Sequence, residues 1–305
     1  MDVVVTGSSG LIGTALVASL EADGHRAIRL LRRAPVPGES ALQWDPTAGT
    51  IDAEGFEGVD AVVHLAGAGI GDRRWTPAYK QEILESRTRS TSLLASTLAG
   101  LQRPPTVLVS GSAIGIYGDR GDEVLTEQSP AGTGFLADVV TRWEAAATPA
   151  VDAGIRVPFV RTGIVLTPTG GALPKLLPLF KFGVGGRMGS GRQWWSWISL
   201  DDEIAALRFA IDHDLHGPVN LTAPEPATNA EFTRTLASVL GRPAFIAVPA
   251  FGPKLLRGGE LAQELLFNSQ RVLPEALLQH GFVFTHPELD EALRSLLGRP
   301  GTVAA

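Results

Sequence analysis

The first chemistry that the sequence suggests lies in a glycine loop near the N-terminus. Thr6–Gly13 spaces its glycines as G-x-x-G-x-x-G, directly after an apolar strand and before a helical pattern. In that context, backbone N–H groups at the positive end of a helix are available to a pyrophosphate. A glycine-rich turn without a ligand is the alternative. The loop predicts a dinucleotide site whose contacts come from Gly7, Ser9, Gly10, Leu11, Ile12 and Gly13.

The end of the second strand indicates which dinucleotide is bound. A site for NAD usually has an acidic residue there, bonded to the ribose 2′-hydroxyl. This chain has Arg32 and Arg33 at that place. Two guanidinium groups suit a 2′-phosphate, although a solvated basic pair would look the same. The sequence therefore predicts NADP(H) as the cofactor, held in part by these two arginines.

With these motifs, the chain resembles the extended short-chain dehydrogenases/reductases. The resemblance rests on four stretches: Thr6–Gly13, His64–Gly67, Ser110–Ala113 continuing to Tyr117-Gly118, and Trp197–Asp202. It implies that Leu65, Ala66 and Gly67 lie along the adenine and ribose of the cofactor. It also implies that the strand ending at Ser112 carries an active-site serine.

The similarity is greater to one atypical branch, the uncharacterised NAD(P)-dependent epimerase/dehydratase-family proteins with a C-terminal domain of unknown function. The shared stretches are Gly67–Ile70, Arg73–Trp75, Ser86-Arg87, Trp143-Glu144, Gly189–Gly191, Asn229–Phe232, Gln270–Val272 and Gly281-Phe282. They cover nearly the whole chain. Labels such as sugar epimerase or cell-division inhibitor, which members of the branch carry, do not follow from the residues.

The usual catalytic pair of the wider family is absent. In that family a Tyr-x-x-x-Lys pair on one helix face transfers the proton, and the lysine lowers the pKa of the tyrosine. The only tyrosines here are Tyr79 and Tyr117, and neither is followed by lysine four residues later. The helix predicted over 134–147 contains neither residue type. The branch is described as lacking the pair as well.

Other residues are candidates for the missing chemistry. Ser112 would bind a substrate oxygen or, alternatively, cap a turn. Tyr117 would donate a proton or, alternatively, pack in the core. Lys80, Asp138 and His64 are further acids or bases, each also explained as a surface or supporting residue.

Arg87 lies on the helix where the extended enzymes usually place an asparagine close to the cofactor. A guanidinium at this position would contact cofactor phosphate or ribose, and Glu82, about one turn earlier, would orient it or touch the cofactor itself. An exposed helical charge pair is the alternative.

Trp194, Trp195 and Trp197 cluster in the region that forms the substrate pocket in the extended fold. Strand alternation would place Trp195 and Trp197 on one face and Trp194 on the other. Such aromatic walls suit a planar or apolar substrate, and a core between two lobes is the alternative.

The elements that position these residues alternate between strand and helix. Strands are predicted near 3–5, 27–31, 59–65, 107–110 and 157–161, with helices near 11–20, 76–98 and 134–147 and a small hairpin over 41–52. After about residue 167 the pattern changes, with helices near 201–213, 229–240 and 288–297 and short strands near 219–221 and 245–248. This predicts an α/β fold: a Rossmann-type doubly wound parallel sheet over 1–167, interleaved with a smaller C-terminal α/β lobe over 168–305.

Composition excludes several classes of protein. The net charge of −6 argues against general nucleic-acid or anionic-membrane binding. Cysteine is absent, which excludes disulfides, thiolate catalysis and cysteine metal sites, and no metal site is predicted. No apolar run is long enough to span a membrane. With no signal peptide expected, we predict a cytoplasmic protein.

Two functions fit these observations. The first is an NADP(H)-dependent oxidoreductase or epimerase with a non-standard proton donor and an unknown small-molecule substrate. The second is an NADP(H)-binding regulatory or scaffold protein without turnover. The retained Ser112 favours the first function, and the missing Tyr/Lys pair favours the second. The oligomeric state does not follow from the sequence.

Overall fold

A computed structural model describes residues 1–244 and 246–299. Its strands are β1 Asp2–Thr6, β2 Arg26–Leu31, β3 Ala41–Asp45, β4 Thr50–Ile51, β5 Ala61–His64, β6 Val107–Ala113, β7 Val124–Leu125, β8 Pro158–Thr162, β9 Ile164–Thr167, β10 Gly170–Gly171, β11 Gly186–Met188, β12 Trp194–Trp195, β13 Trp197–Ser199, β14 Gly217–Leu221, β15 Ala227–Thr228, β16 Ile246–Val248 and β17 Arg271–Val272. The helices are α1 Leu11–Ala22, α2 Pro77–Ala99, α3 Phe135–Ala145, α4 Thr148–Asp152, α5 Leu173–Lys181, α6 Leu200–Asp212, α7 Asn229–Leu240, α8 Phe251–Arg257, α9 Gly259–Ala262, α10 Glu275–Gln279 and α11 Leu289–Leu296.

The main sheet has eight strands in the order β14-β8-β6-β5-β1-β2-β3-β4. All pairs are parallel except β3 and β4, which form the predicted hairpin. The strand order reverses beside β1, because β2 lies on one side of it and β5 on the other. Ligands of such sheets bind beyond the carboxyl ends of the strands at this reversal, where the glycine loop follows β1.

The doubly wound arrangement follows from alternation along the central strands. Successive side chains of a strand point to opposite faces, so a run of buried valines such as Val3–Val5 supplies both faces. Val3 and Val5 pack with α1 and α6, whereas Val4 packs with α2 and α4 on the other face. Helices on both faces bury the central strands of the sheet, and the predicted α/β Rossmann-type fold is confirmed.

The later part of the chain is joined closely to this sheet. β14 comes from beyond residue 168 yet pairs with β8 at the sheet edge. Smaller pairs join β9 to β13 and β7 to β17. The glycine- and proline-rich stretch after 167 also contains a helix, α5, that the sequence did not indicate. The strand expected near 245–248 is β16, and residue 245 lies outside the described residues.

No helix within the described parts of the chain combines the length and the apolar character that a membrane crossing requires.

Candidate functional site

The glycine loop forms a cradle whose three glycines have different surroundings. Gly7 has φ +64°, and a Cβ there would lie 2.8 Å from the backbone of Leu65. A Cβ on Gly13 would overlap the backbone of Gly7. Gly10 is exposed, and a Cβ there would meet only the Gly7 carbonyl oxygen, at 3.2 Å. Thus Gly7 and Gly13 are required by the packing of the protein itself, whereas Gly10 leaves open space.

The start of α1 suits an anion. Gly10 is its N-cap and offers no side-chain hydrogen bond, and the first turn contains no acidic residue. The first backbone N–H groups of a helix have no intrahelical acceptor and carry the positive end of its dipole. The loop residues Ser9, Leu11 and Ile12 surround this end. The chain's own residues therefore fit the pyrophosphate of a dinucleotide.

Thr6 joins the glycine loop to the segment after β5. Its hydroxyl oxygen accepts the backbone N–H of Leu65 at 3.0 Å and of Ala66 at 3.1 Å. Its own proton therefore goes to His64 Nδ1, 2.8 Å away. The structure thus brings the predicted residues Leu65 and Ala66 beside Gly7.

His64 supports this arrangement and does not act as an acid. It is fully buried, and its Nε2 lies 2.9 Å from the hydroxyl of Thr91. Burial lowers the pKa of His64 to about 3, helped by the positive charge of Arg87. The ring is therefore neutral at physiological pH.

Arg32 and Arg33 differ in whether another side chain of the protein already binds the guanidinium group. Both side chains are exposed at the end of β2. The guanidinium of Arg33 makes a two-point contact with Glu39, at 2.6 and 2.8 Å. No ion pair is recorded for Arg32 among the described residues. Arg32 is therefore the freer cation at the place where a 2′-phosphate is expected.

Arg87 lies against the segment that follows β5. Its Nη1 donates to the backbone oxygens of Ala68, at 3.0 Å, and Ile83, at 3.1 Å. A Cβ on Gly67 would lie 3.1 Å from its guanidinium carbon. The guanidinium also lies 5.0 Å from the ring centroid of Trp143, a distance typical of cation–π contacts. Burial lowers the pKa of Arg87 to about 10, so it remains a cation at neutral pH.

Glu82 does not orient Arg87 as predicted. Its side chain is about half exposed, and its nearest cation is Arg73, at 3.8 Å. The backbone carbonyls and the indole take that positioning role instead, because Glu82 projects from an exposed part of α2.

The predicted catalytic residues Ser112 and Tyr117 belong to a buried hydrogen-bond network. The Ser112 hydroxyl donates to Glu144 at 2.6 Å, and Arg161 binds the same carboxylate at 2.9 and 3.0 Å. Arg161 also donates to the Tyr117 hydroxyl at 3.0 Å, and that hydroxyl donates to Asn220 at 2.7 Å. Tyr117 is fully buried, and burial raises its pKa.

The contacts of this network bear on the roles that the sequence suggested for both residues. Both hydroxyl protons are already donated within the protein, and neither residue lines the cavity described below. Neither hydroxyl is directed into that cavity, so the roles of Tyr117 as a proton donor and of Ser112 as a ligand of a substrate oxygen stay predictions. The burial of Tyr117 fits its packing alternative, whereas Ser112 donates to the Glu144 side chain and does not cap a turn.

Lys80 and Asp138 have partners outside the cavity. Lys80 pairs with Glu260 at 2.6 Å, and Asp138 pairs with Arg142 one turn later on α3, at 3.1 Å. Neither residue lines the cavity.

A cavity of about 160 Å³ lies between the carboxyl ends of β6 and β8, α3 and the C-terminal segment. The walls are mostly apolar, with polar atoms from few side chains. The lining residues that matter most are Arg87, Leu136, Val139, Val140, Trp143, Thr162, Trp194, Trp195, Glu264, Asn268 and Gln270. Four apolar side chains of α3 thus occupy the wall where the wider family places its tyrosine and lysine.

The tryptophan cluster divides as strand alternation predicts. Trp195 and Trp197 are buried in one core cluster, although Ser196 separates the two short strands. Trp194 is partly exposed, with its indole N–H on Asp122 at 2.9 Å and Arg271 over its ring. Trp194 and Trp195 both line the cavity, so the expected aromatic wall and the expected core are both present.

Sequence reasoning missed the contribution of residues 263–270. Glu264 lies in a π-helical turn, Gln263–Phe267, and such turns are frequent at functional sites. Its Oε1 accepts the backbone N–H of Phe135 at the start of α3, at 2.9 Å. This contact joins positions 129 residues apart, which no local pattern reveals.

The sheet, its point of reversal and the glycine cradle define a Rossmann-type nucleotide-binding protein. Residues 3–221 match the model of the NAD dependent epimerase/dehydratase family, and residues 248–296 match a domain of unknown function, DUF1731. The chain belongs to this family, and the resemblance to the branch with that C-terminal domain is confirmed.

Individual relatives align with nearly the whole length of this chain. Epimerase family protein Mb2239 of Mycobacterium bovis is 46% identical over 300 residues, which are 98% of each chain. The crystal structure of human epimerase family protein SDR39U1 (isoform 2) with NADPH is 36% identical, with a TM-score of 0.89 over 98% of this chain and 99% of that one. A nucleoside-diphosphate sugar epimerase structure from Corynebacterium glutamicum is 39% identical, with a TM-score of 0.81, and this chain covers 58% of it.

Proposed function

We propose that the protein binds NADP(H) in the glycine cradle and acts as an NADP(H)-dependent oxidoreductase or epimerase on a small molecule held in the adjoining cavity. The open space above Gly10, at the bare N-terminus of α1, carries this proposal. The NADPH in the structure of human SDR39U1 supports it. When bound, the dinucleotide supplies a hydride, and the chain's own residues bind, orient and shield the reactants.

Each predicted contact has a role in this proposal. Backbone N–H groups at Gly10–Ile12 hold the pyrophosphate, and Leu65–Gly67 lie along the adenosine. Arg32 holds the 2′-phosphate. Arg87 faces the cavity as a cation. The walls formed by α3 and by Trp194 and Trp195 exclude water from the reacting groups.

The preference for NADP(H) is tested by calorimetric titration with NADPH and NADH. A charge-assisted hydrogen bond contributes about 1.5–3 kcal/mol, and the exposure of Arg32 favours the lower end, so the expected preference is about tenfold. Arg32→Ala should remove most of it. Arg33→Ala is the matched control with a smaller effect, because Glu39 already binds that guanidinium. Equal affinity of the wild-type protein for NADH would contradict the proposal.

A regulatory NADP(H)-binding protein without turnover is the second candidate. The observation that favours it is the burial of Ser112 and Tyr117 in a network directed away from the cavity. Screening carbonyl compounds for NADPH consumption separates the two candidates. Tight NADPH binding with no consumption by any compound would favour the regulatory function.

A further inference from the structure

The cavity contains a single carboxyl group among the described residues that line it, that of Glu264. The other ionisable side chain of the lining is Arg87, whose Nη1 is engaged by two backbone carbonyls and which stays charged at neutral pH. The serine and threonine hydroxyls of the lining are poor acids. Among the lining residues that the structure describes, a proton that moves within this cavity therefore has one chemically suitable source.

The protein holds the Glu264 carboxyl in place from several sides. Oε1 accepts the N–H of Phe135, and Oε2 lies 3.3 Å from the amide nitrogen of Asn268. Gly134, with φ +118°, makes room for it, since a Cβ there would lie 2.5 Å from Oε1. Gln263 in turn donates to the Asn268 oxygen at 3.1 Å. A carboxyl fixed in this way is preorganised at the start of α3.

The surroundings of the Glu264 carboxyl raise its pKa on balance. Burial raises the pKa of Glu264 above that of an ordinary glutamate, while the N–H of Phe135 lowers it. Glu260 on α9 raises it further, and Lys80 on α2, which is paired with Glu260, lowers it. Arg87 faces the same cavity from α2. A raised pKa brings a carboxyl closer to the working range of a general acid.

We propose that Glu264, from the C-terminal domain of unknown function, is the proton-transferring residue of the cavity and takes the role of the absent tyrosine. This role of Glu264 rests on the proposed oxidoreductase function. During reduction of a carbonyl, the O–H bond of the Glu264 carboxyl breaks as a new O–H bond forms on the carbonyl oxygen. The carbon beside that oxygen receives the hydride that the bound dinucleotide supplies. The product is an alcohol, and the Glu264 carboxylate takes its next proton from solvent.

A base-catalysed probe reaction tests this without cofactor or native substrate. The probe is 5-nitrobenzisoxazole, a small flat aromatic molecule that opens to a coloured cyanophenolate when a base removes its ring proton. The Glu264 carboxylate is the expected base. The variant Glu264→Gln keeps an oxygen that accepts the Phe135 N–H but cannot exchange a proton. Glu54→Gln is the matched control, because Glu54 is exposed on a distant turn.

We expect the wild-type protein and Glu54→Gln to open the probe at equal rates, and Glu264→Gln to be slower by about 10²-fold, as for loss of a general base. The wild-type rate should rise with pH and level off above an inflection higher than the ordinary 4.5. A purely structural cap would not produce that inflection. Equal rates in wild type and Glu264→Gln, or a rate without such an inflection, would overturn the proposal.

NADPH titration of the same three proteins separates this proposal from the proposed function. All three should bind NADPH equally. Loss of NADPH binding in Glu264→Gln alone would place Glu264 in the cofactor cradle and overturn its assignment to proton transfer. Failure of all three to bind NADPH would refute the proposed function, while the probe reaction would still decide the role of Glu264. Should Glu264→Gln fail to fold, Glu264→Asp takes its place: the carboxyl is drawn back by one methylene group, so the probe reaction should slow, and an unchanged rate would overturn the proposal.

Discussion

One added methyl group, placed at two different glycines of the loop, should separate cofactor binding from folding. In Gly10→Ala the new Cβ meets only the Gly7 carbonyl oxygen, at 3.2 Å, and otherwise enters the open cradle. In Gly13→Ala the same group overlaps the Gly7 backbone, whose carbonyl carbon would be 2.8 Å away. The two variants add identical atoms three residues apart, so composition and charge do not differ between them.

The expected magnitudes follow from these surroundings. Alanine at an N-cap in place of glycine costs about 1 kcal/mol, which lowers the melting temperature of a protein of this size by roughly 2 °C. Overpacking at Gly13 costs about 3 kcal/mol or more, which lowers the melting temperature by roughly 6 °C or more. NADPH at a hundred times its Kd stabilises a binding protein by about 2.7 kcal/mol, or roughly 5 °C.

The assay is thermal unfolding with and without NADPH, supported by calorimetric titration. NADPH should raise the melting temperature of the wild-type protein. Without NADPH, Gly10→Ala should be nearly as stable as wild type, and adding NADPH should not raise its melting temperature. Gly13→Ala should be destabilised already without ligand. A Gly10→Ala protein that keeps the wild-type NADPH shift would refute the position assigned to the pyrophosphate.

Two further predictions concern buried charges. Burial raises the pKa of Glu203 to about 8, and within the described residues Thr162 is its only side-chain hydrogen-bond partner. The folded state thus holds the Glu203 proton more tightly than the unfolded state does. The resulting contribution to the free energy of unfolding is complete below pH 4.5 and is lost as the pH rises to 8. Glu203→Gln should therefore match wild type near pH 4.5 and become more stable by up to several kcal/mol at pH 8, measured by urea unfolding; a constant difference would contradict the assigned burial. Glu144→Ala should cost about 3–5 kcal/mol because it leaves Arg161 buried without its partner, whereas Ser112→Ala should cost about 1 kcal/mol. Equal costs in urea unfolding would contradict this division of the network.

The sequence predicted the sheet well because its signals are local. The alternating faces of Val3–Val5 and the strand–loop–helix context of Gly7–Gly13 are each complete within about a dozen residues. These local patterns fix where the strands lie and where the cradle forms. The fold class and the side-by-side placement of the glycine loop and Leu65–Ala66 therefore followed from the sequence.

The roles of Ser112 and Tyr117 could not be predicted in the same way. Their hydrogen-bond partners are Glu144, Arg161 and Asn220, up to 103 residues away. A motif shows that a hydroxyl lies at the end of a strand, but the direction of its proton depends on which distant acceptor the fold brings near. Glu264 was missed for the same reason, since its contact with Phe135 spans two parts of the chain.

The sides of α3 show why the cavity needs a proton source from outside this helix. Leu136, Val140 and Trp143 face the cavity, so this side of α3 offers no titratable group. The helix uses Glu144 instead to bind Arg161 in the core, where the side chains of the pair are only 14% and 6% exposed. Removing two charges from water is costly unless they are paired with good geometry, so this carboxylate is bound to Arg161, and it does not line the cavity. Catalysis in the cavity, where it occurs, must then depend on residues that another segment places at the end of α3.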